Sequence, residues 1–277
     1  MNIPKIYRDD FFKVHEALSP TSFDLIFTDP PYGLFGEEIE ALDWDNPVNL
    51  YQLEKTFSRL LKPTGLAIIS CNLEFLTDLQ NAFGAHLILY HHYVWRKPGG
   101  MPVNKLYPIT NHEFVGVFRR PGVHVSDLTW HPRESGRIGE PYEKKNTTAD
   151  VPTRRMKKSK VNTNSTGKRY MKSVLDAPSK PNMKKEERTS HPTQKPLALL
   201  RPLIRTYSNP GDTILDPFAG SGSSLIAAAL EGRNAIGYEI EKKYFDEAQQ
   251  RLEQTIPAQM DVFTAETPNL THDLGEK

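Results

Sequence analysis

The chain has 277 residues, 38% of them hydrophobic and 25% charged, with a formal net charge of +1 and a single cysteine. That length can bury a full core, as one large domain or as a core domain with an insertion. Membrane-spanning and disulfide-built classes are set aside, because no apolar run approaches the roughly 20 residues a span needs and Cys71 has no second cysteine to join.

The opening "MNIPKIYRDDFF" lacks the basic, apolar, small-residue order of a secretory signal. A lone cysteine also suits a reducing compartment, so a cytoplasmic location is expected. Residues 1 to about 120 alternate between strand and helix patterns. "KIY" reads as a short strand, "DDFFKVHEAL" as a helix and "FDLIFT" as a buried strand. "LYQLEKTFSRLLK" carries Leu50, Leu53, Phe57, Leu60 and Leu61 at helical spacing, and Pro63 and Gly65 are expected to stop it. "LAIIS" follows as a strand, with Cys71 a small buried residue at its end, and "LEFLTDLQNAF" as a helix. "HHYVWRK" and "HEFVGVFRR" are late strands around a Pro/Gly-rich loop.

Residues 121–190 lose this rhythm and read as an insertion rich in loops. Glu143 to Arg188 holds 14 Lys and Arg against 5 Asp and Glu, a net +9 that leaves −8 for the rest. Such asymmetry fits a localised contact with a polyanion, and equally a solvated insert. Order returns with helix "QKPLALLRPLIRTYS", for which Thr193 is the expected cap and Pro196 lies in the first turn. Strand "DTILDPF", turn "AGSGS", helix "SSLIAAALEG", strand "NAIGYEI" and helix "KKYFDEAQQRLEQ" complete the series; residues from 257 read as a polar tail. This alternation predicts an α/β fold, a parallel or mostly parallel sheet with helices on both faces. Ligands in such sheets sit beyond the carboxyl ends of the strands. "TDPPY" and "DPFAGSGS" both follow strands and are predicted to share one crevice.

In "ILDPFAGSGSSLIAAA", Gly220 and Gly222 allow a sharp turn and close approach to a ligand. The helix behind the turn offers free N–H groups and a positive dipole end. Glu239 ends the next strand, where a carboxylate can accept from two ribose hydroxyls. Leu225 occupies the place of the third glycine of a dinucleotide fingerprint, and no Gly-Lys-Ser/Thr follows as in a P-loop. Alone, the turn is equally an ordinary strand-to-helix connection.

"FDLIFTDPPYG" ends a strand with an acid, two prolines and a tyrosine. An exocyclic amine of adenine or cytosine is a poor nucleophile, because its lone pair is conjugated into the ring. Two acceptors on its N–H bonds, the Asp29 carboxylate and the Pro30 carbonyl oriented by Pro31, would localise that lone pair. Tyr32 can stack on a base that has left the duplex. Alignment with an electrophilic carbon then needs neither a metal nor a covalent enzyme intermediate. A proline turn of no chemical consequence is the plainer alternative.

Together these segments resemble the DNA amino-methyltransferases, and their order resembles the beta class. "DPPYG" is similar to the family's catalytic motif and "DPFAGSGS" to its cofactor loop. "HPTQKP" looks like the segment before that loop, "AIGYEI" like the ribose-binding strand and "KIYRDDFF" like the opening strand. The likeness covers about 1–120 and 190–254. It implies a Rossmann-like methyltransferase sheet divided into a catalytic half (1–120), a basic target-recognition insertion (121–190), a cofactor-binding half (191–256) and a tail (257–277). It implies S-adenosyl-L-methionine as cofactor and double-stranded DNA as partner. Asp29, Pro30, Pro31 and Tyr32 would act on the flipped base. Asp216, Phe218, Gly220, Ser221 and Gly222 would line the cofactor pocket, with Glu239 on the ribose. His191, Thr193 and Lys195 would meet the methionine end, and Asp10 and Phe11 would flank the adenine, with Asp9 as a competitor. Asp29 is similar to the adenine-N6 group; cytosine N4 is the alternative target. A catalytically inactive DNA-binding module and an RNA or protein-glutamine substrate are further readings. Arg133, Arg137, Arg154, Arg155, Lys157 and Lys158 are candidates to meet phosphates or guanine edges. A homodimer and a cognate restriction endonuclease are further partners that the resemblance allows.

Overall fold

The run "FDLIFT" forms strand β2 (Phe23–Thr28) in the middle of the computed structural model, which describes residues 4–33, 46–100, 106, 108–144 and 162–265. The other strands of its sheet are β1 (Lys5–Arg8), β3 (Leu61–Cys71), β4 (Ile88–Arg96), β5 (His112–Arg119), β8 (Val174–Asp176), β9 (Thr213–Asp216) and β10 (Asn234–Glu239). Their order is β1-β10-β9-β2-β3-β5-β4-β8. Within this sheet only β5 is reversed, antiparallel to both β3 and β4; every other pairing is parallel. Two short strands, β6 (Tyr142–Lys144) and β7 (Asn162–Asn164), pair antiparallel apart from it.

Alternation along the central strands feeds two cores, one on each face. Leu25 and Phe27 of β2, with Leu66 and Ile68 of β3, face helices α4 (Leu197–Tyr207), α5 (Ser223–Leu230) and α6 (Lys242–Ala265). Ile26, Ala67 and Ile69 face α1 (Phe11–Val14), α2 (Leu50–Leu60) and α3 (Leu73–Ala82). Burying each large apolar side chain contributes about 1.5–3 kcal/mol. No helix among the described residues is long and apolar enough to cross a membrane.

Several elements depart from expectation for identifiable reasons. The first helix is one turn followed by a 3-10 turn, His15–Ala17. Asp10 caps it by accepting from the Phe12 N–H, while the Arg59 guanidinium binds the carbonyls of His15 and Leu18. Helix α2 passes into β3 without a loop: Leu61 ends one and starts the other. The pairing of β3 with β2 jumps from Phe23↔Leu61 to Leu25↔Leu66, so Pro63 and Gly65 lie in an irregularity rather than a break. A Cβ on Gly65 would stand 3.1 Å from the carbonyl oxygens of Phe23 and Asp24. Helix α4 starts at Leu197 with Pro196, not Thr193, in the cap position. Glu187 supplies the missing cap by accepting the Leu197 N–H at 2.8 Å. The insertion is not all loop: it adds β8 to the edge of the main sheet beside β4, and Trp95 Nε1 donates to the Ala177 carbonyl at 2.9 Å. Helix α6 runs past residue 257 to Ala265.

Candidate active site

β2 and β9 are adjacent and parallel, so the loops that leave their carboxyl ends emerge side by side. Asp29 to Tyr32 leave β2, and Pro217 to Gly222 leave β9. Both loops line one cavity of about 380 Å³. The pre-α4 segment adds His191, Thr193 and Lys195 to its wall, the start of α1 adds Asp10 and Phe11, and the end of β10 adds Glu239. Gly222 stands behind the wall as the cap of α5, with φ +71° and its α-carbon against Ala248.

Each carboxylate in the cavity is set by different neighbours. Asp216 Oδ1 accepts from the Thr28 hydroxyl at 2.8 Å and the Phe218 N–H at 3.1 Å, and Oδ2 accepts from the Ser224 hydroxyl. Burial nevertheless pushes its carboxyl up to about 6. Glu239 closes the glycine turn. Its Oε2 accepts the Gly220 N–H at 2.8 Å and Oε1 accepts the Glu241 N–H at 2.7 Å. Burial raises it to about 7. Asp29 is raised by burial, against the opposing pull of the Lys195 ammonium bonded to its Oδ2. Its Oδ1 is buried and takes no hydrogen bond.

His191 lies over the glycine turn. A Cβ on Gly220 would stand 2.9 Å from its Nε2, so the turn and the imidazole fit only without a side chain there. Burial, then the charges of Lys195 and Lys180, hold His191 down to about 3, and the ring is neutral. Its edge packs on Tyr244 at 4.4 Å. At the α1 end, Phe11 and Phe12 lie 6.3 and 6.0 Å from the Phe218 ring, an apolar wall beside the Glu239 carboxylate. Asp10 is committed to capping α1. Tyr32 stacks on Phe75 at 5.0 Å.

Sequence reading missed several residues that hold the site. Thr28, Ser224 and Phe75 touch predicted site residues, and Arg251 of α6 donates to the Ser221 carbonyl at 2.8 Å and the Ser223 hydroxyl at 2.9 Å. Thr28 and Ser224 stand next to motif residues, the only signal they carry. Phe75 and Arg251 follow apolar and charged helix patterns that give none. Lys195, read as a cofactor contact, has its ammonium on Asp29. In the insertion, the Arg133 guanidinium lies 4.9 Å from the Tyr170 ring centre, and Arg137 donates to the Tyr170 carbonyl. Arg154, Arg155, Lys157 and Lys158 lie outside the described residues.

The DNA methylase family model, which covers N6 and N4 enzymes, matches residues 23–250. Type II methyltransferase M.HinfI of Haemophilus influenzae is 29% identical over 276 residues, covering 93% of this chain and 70% of that protein. Type II methyltransferase M2.DpnII of Streptococcus pneumoniae is 27% identical, covering 90% and 89%. The structure of a DNA modification methylase, so titled as putative, from Thermus thermophilus in complex with S-adenosyl-L-methionine superposes with a TM-score of 0.58 at 24% identity, covering 92% of this chain and 95% of that one. The match to the family model runs from the first residue of β2 into α6, through both loops that wall the cavity, and on that extent the chain belongs to the DNA methylase family.

Proposed function

We propose that the chain transfers a methyl group from S-adenosyl-L-methionine to adenine N6 in double-stranded DNA. The single observation that carries this reading is that the Asp29 loop and the glycine turn wall the same cavity. A buried carboxylate oxygen without a partner sits on one side, and on the other a turn too tight for any side chain. Those features fit a cofactor with a sulfonium centre, an ammonium group and a ribose. S-adenosyl-L-methionine, when bound, supplies an electrophilic methyl carbon. Glu239 would hold the ribose, and Phe11 and Phe218 would flank the adenine with the help of Asp10. Asp216, Gly220, Ser221 and Gly222 would shape the pocket floor, with His191 and Thr193 at the methionine end.

Asp29 and the Pro30 carbonyl would accept the two N–H bonds of the target amine. Pro31 fixes the chain direction, and Tyr32, turned from Phe75, would stack on the extruded base at a gain of about 1–3 kcal/mol. The basic segment beyond Lys144 would neutralise phosphates, which makes binding salt-dependent. Through its Type II relatives, the same reading carries a homodimer and a cognate restriction endonuclease as partners.

The test is incubation of DNA with the protein and methyl donor, followed by digestion and mass spectrometry of the nucleosides. N6-methyladenine is expected. N4-methylcytosine would move the target to cytosine, and unmodified DNA would sink the assignment. Asp29→Ala is expected to abolish the product while calorimetry still detects cofactor binding.

A further inference from the structure

The two oxygens of Asp29 are in different situations. Oδ2 accepts from Lys195 Nζ, whereas Oδ1 is buried with no hydrogen bond. Lys195 Nζ also stands 3.9 Å from Glu113 Oε2, and the other oxygen of Glu113 is bonded to Lys97 Nζ. The four side chains form a line of alternating charge, Lys97–Glu113–Lys195–Asp29. It runs from the end of β4, through β5 and the approach to α4, to the end of β2. The far end is pinned. The Lys97 ammonium lies 4.7 Å from the centre of the Trp95 ring, and its N–H donates to the Asn111 carbonyl at 2.7 Å. Lys195 is 8% exposed, so few other partners can reach it.

We infer that Lys195 is a positioning residue for Asp29: it fixes Oδ2 so that Oδ1 faces the substrate amine, and Glu113 and Lys97 fix Lys195 in turn. This rests on the reading of Asp29 as the amine's acceptor. It gives Lys195 a role other than the cofactor contact implied by its motif.

A buried carboxylate without a cation takes up a proton and becomes a donor. A protonated Asp29 would no longer offer two acceptor oxygens, so the adjacent ammonium keeps the group in its working form. The charges that face Asp29 come from several elements. Lys195 and Lys97 favour its ionised form, and Glu113 opposes it. Asp216 on β9 and Cys71 on β3 are also electrostatic neighbours, and the Cys71 thiol, pushed up to about 12 by burial, stays neutral. Lys195 itself loses from burial, but Asp29 and Glu113 more than offset that loss and hold it charged.

The experiment uses the full chain. Single-turnover methyl transfer to DNA is followed at saturating S-adenosyl-L-methionine from about pH 5 to 9, where the acid limb reports the essential base. Calorimetry gives the cofactor Kd of each variant. Lys195→Met is expected to slow transfer by about 100-fold at neutral pH and to move the acid limb to higher pH, with Kd within about threefold of wild type. Lys195→Arg restores the limb. Glu113→Gln, which removes the opposing charge without touching the cavity, moves the limb to lower pH. These opposite shifts are not produced by a general loss of stability. An unmoved limb in Lys195→Met overturns the inference, as does a Kd weakened tenfold or more with transfer intact at saturation, which makes Lys195 a cofactor ligand. If Lys195→Met fails to fold by circular dichroism, Glu113→Gln decides, and an unmoved limb there overturns the inference. A wild-type protein that leaves DNA unmethylated brings down the proposed function itself; a methylating wild type with unmoved variants brings down only the role of Lys195.

Discussion

The hydroxyl of Thr28 donates to Asp216 Oδ1 at 2.8 Å, joining the last residue of β2 to the last residue of β9. Both are buried, and each immediately precedes one of the two loops that wall the cavity. The bond holds the catalytic-type loop and the glycine turn in fixed register. A parallel pairing of the two strands is what brings the residues within reach.

Thr28→Val keeps the shape and removes the donor. Asp216 then retains Ser224 and the Phe218 N–H but loses one partner in a buried setting, at about 1–3 kcal/mol. Urea unfolding is expected to show that loss, and Thr28→Ser to recover most of it.

Gly220 has φ +50°, and its Cβ would stand 2.9 Å from His191 Nε2. An alanine there costs about 1–2 kcal/mol in the left-handed region alone and must displace the imidazole. Gly220→Ala is expected to weaken S-adenosyl-L-methionine binding by about tenfold or more, read by calorimetry on protein that circular dichroism shows to be folded.

Glu239 predicts a pH dependence. Burial raises its carboxyl from an ordinary 4.5 to about 7, so between those values the folded chain holds a proton that the unfolded chain has lost. Its contribution to stability therefore falls as pH rises through that window and is level above it. Glu239→Gln removes the effect. The variant should gain on wild type by on the order of 2–3 kcal/mol between about pH 5 and 8, with Asp216 and His191 common to both proteins. A cationic ligand favours the ionised form, so cofactor binding is expected to release protons near pH 6–7. Calorimetry in buffers of different ionisation enthalpy measures that release.

Away from the cavity, Glu54 of α2 accepts N–H bonds from Gly84, His86 and Leu87 on one oxygen, at 2.8, 2.9 and 2.9 Å. Burial opposes its ionisation, but the three bonds outweigh burial and hold its carboxyl below the ordinary range. Its contribution is present above that range and is lost as pH falls through the lowered value. Glu54→Ala orphans all three donors and is expected to cost about 3 kcal/mol in denaturant unfolding at neutral pH.

The legible part of this protein is what repeats or punctuates. Alternation in "FDLIFT" and "NAIGYEI" placed β2 and β10, and the strand-end position of "TDPPY" and "DPFAGSGS" placed both loops in one crevice. Contacts between segments distant in sequence were not legible. Nothing local says that Arg59 takes the carbonyls that would extend α1, or that Glu187 caps α4 across the insertion. The weak periodicity of 121–190 hid β8 for a related reason: a three-residue edge strand is held by its neighbour β4, not by its own pattern. Lys195 shows the same limit within the site. Its motif suggests a ligand contact, but only tertiary structure brings it to Asp29 and Glu113.

The edge strand β8 and the Glu187 cap give the insertion two seams with the catalytic body. A chimera that swapped the whole of 121–190 for another sequence would strip the sheet of its border and leave α4 without its first N–H partner. Exchange confined to the stretch before Ser173 would keep both seams, so specificity could be regrafted there without unpicking the fold.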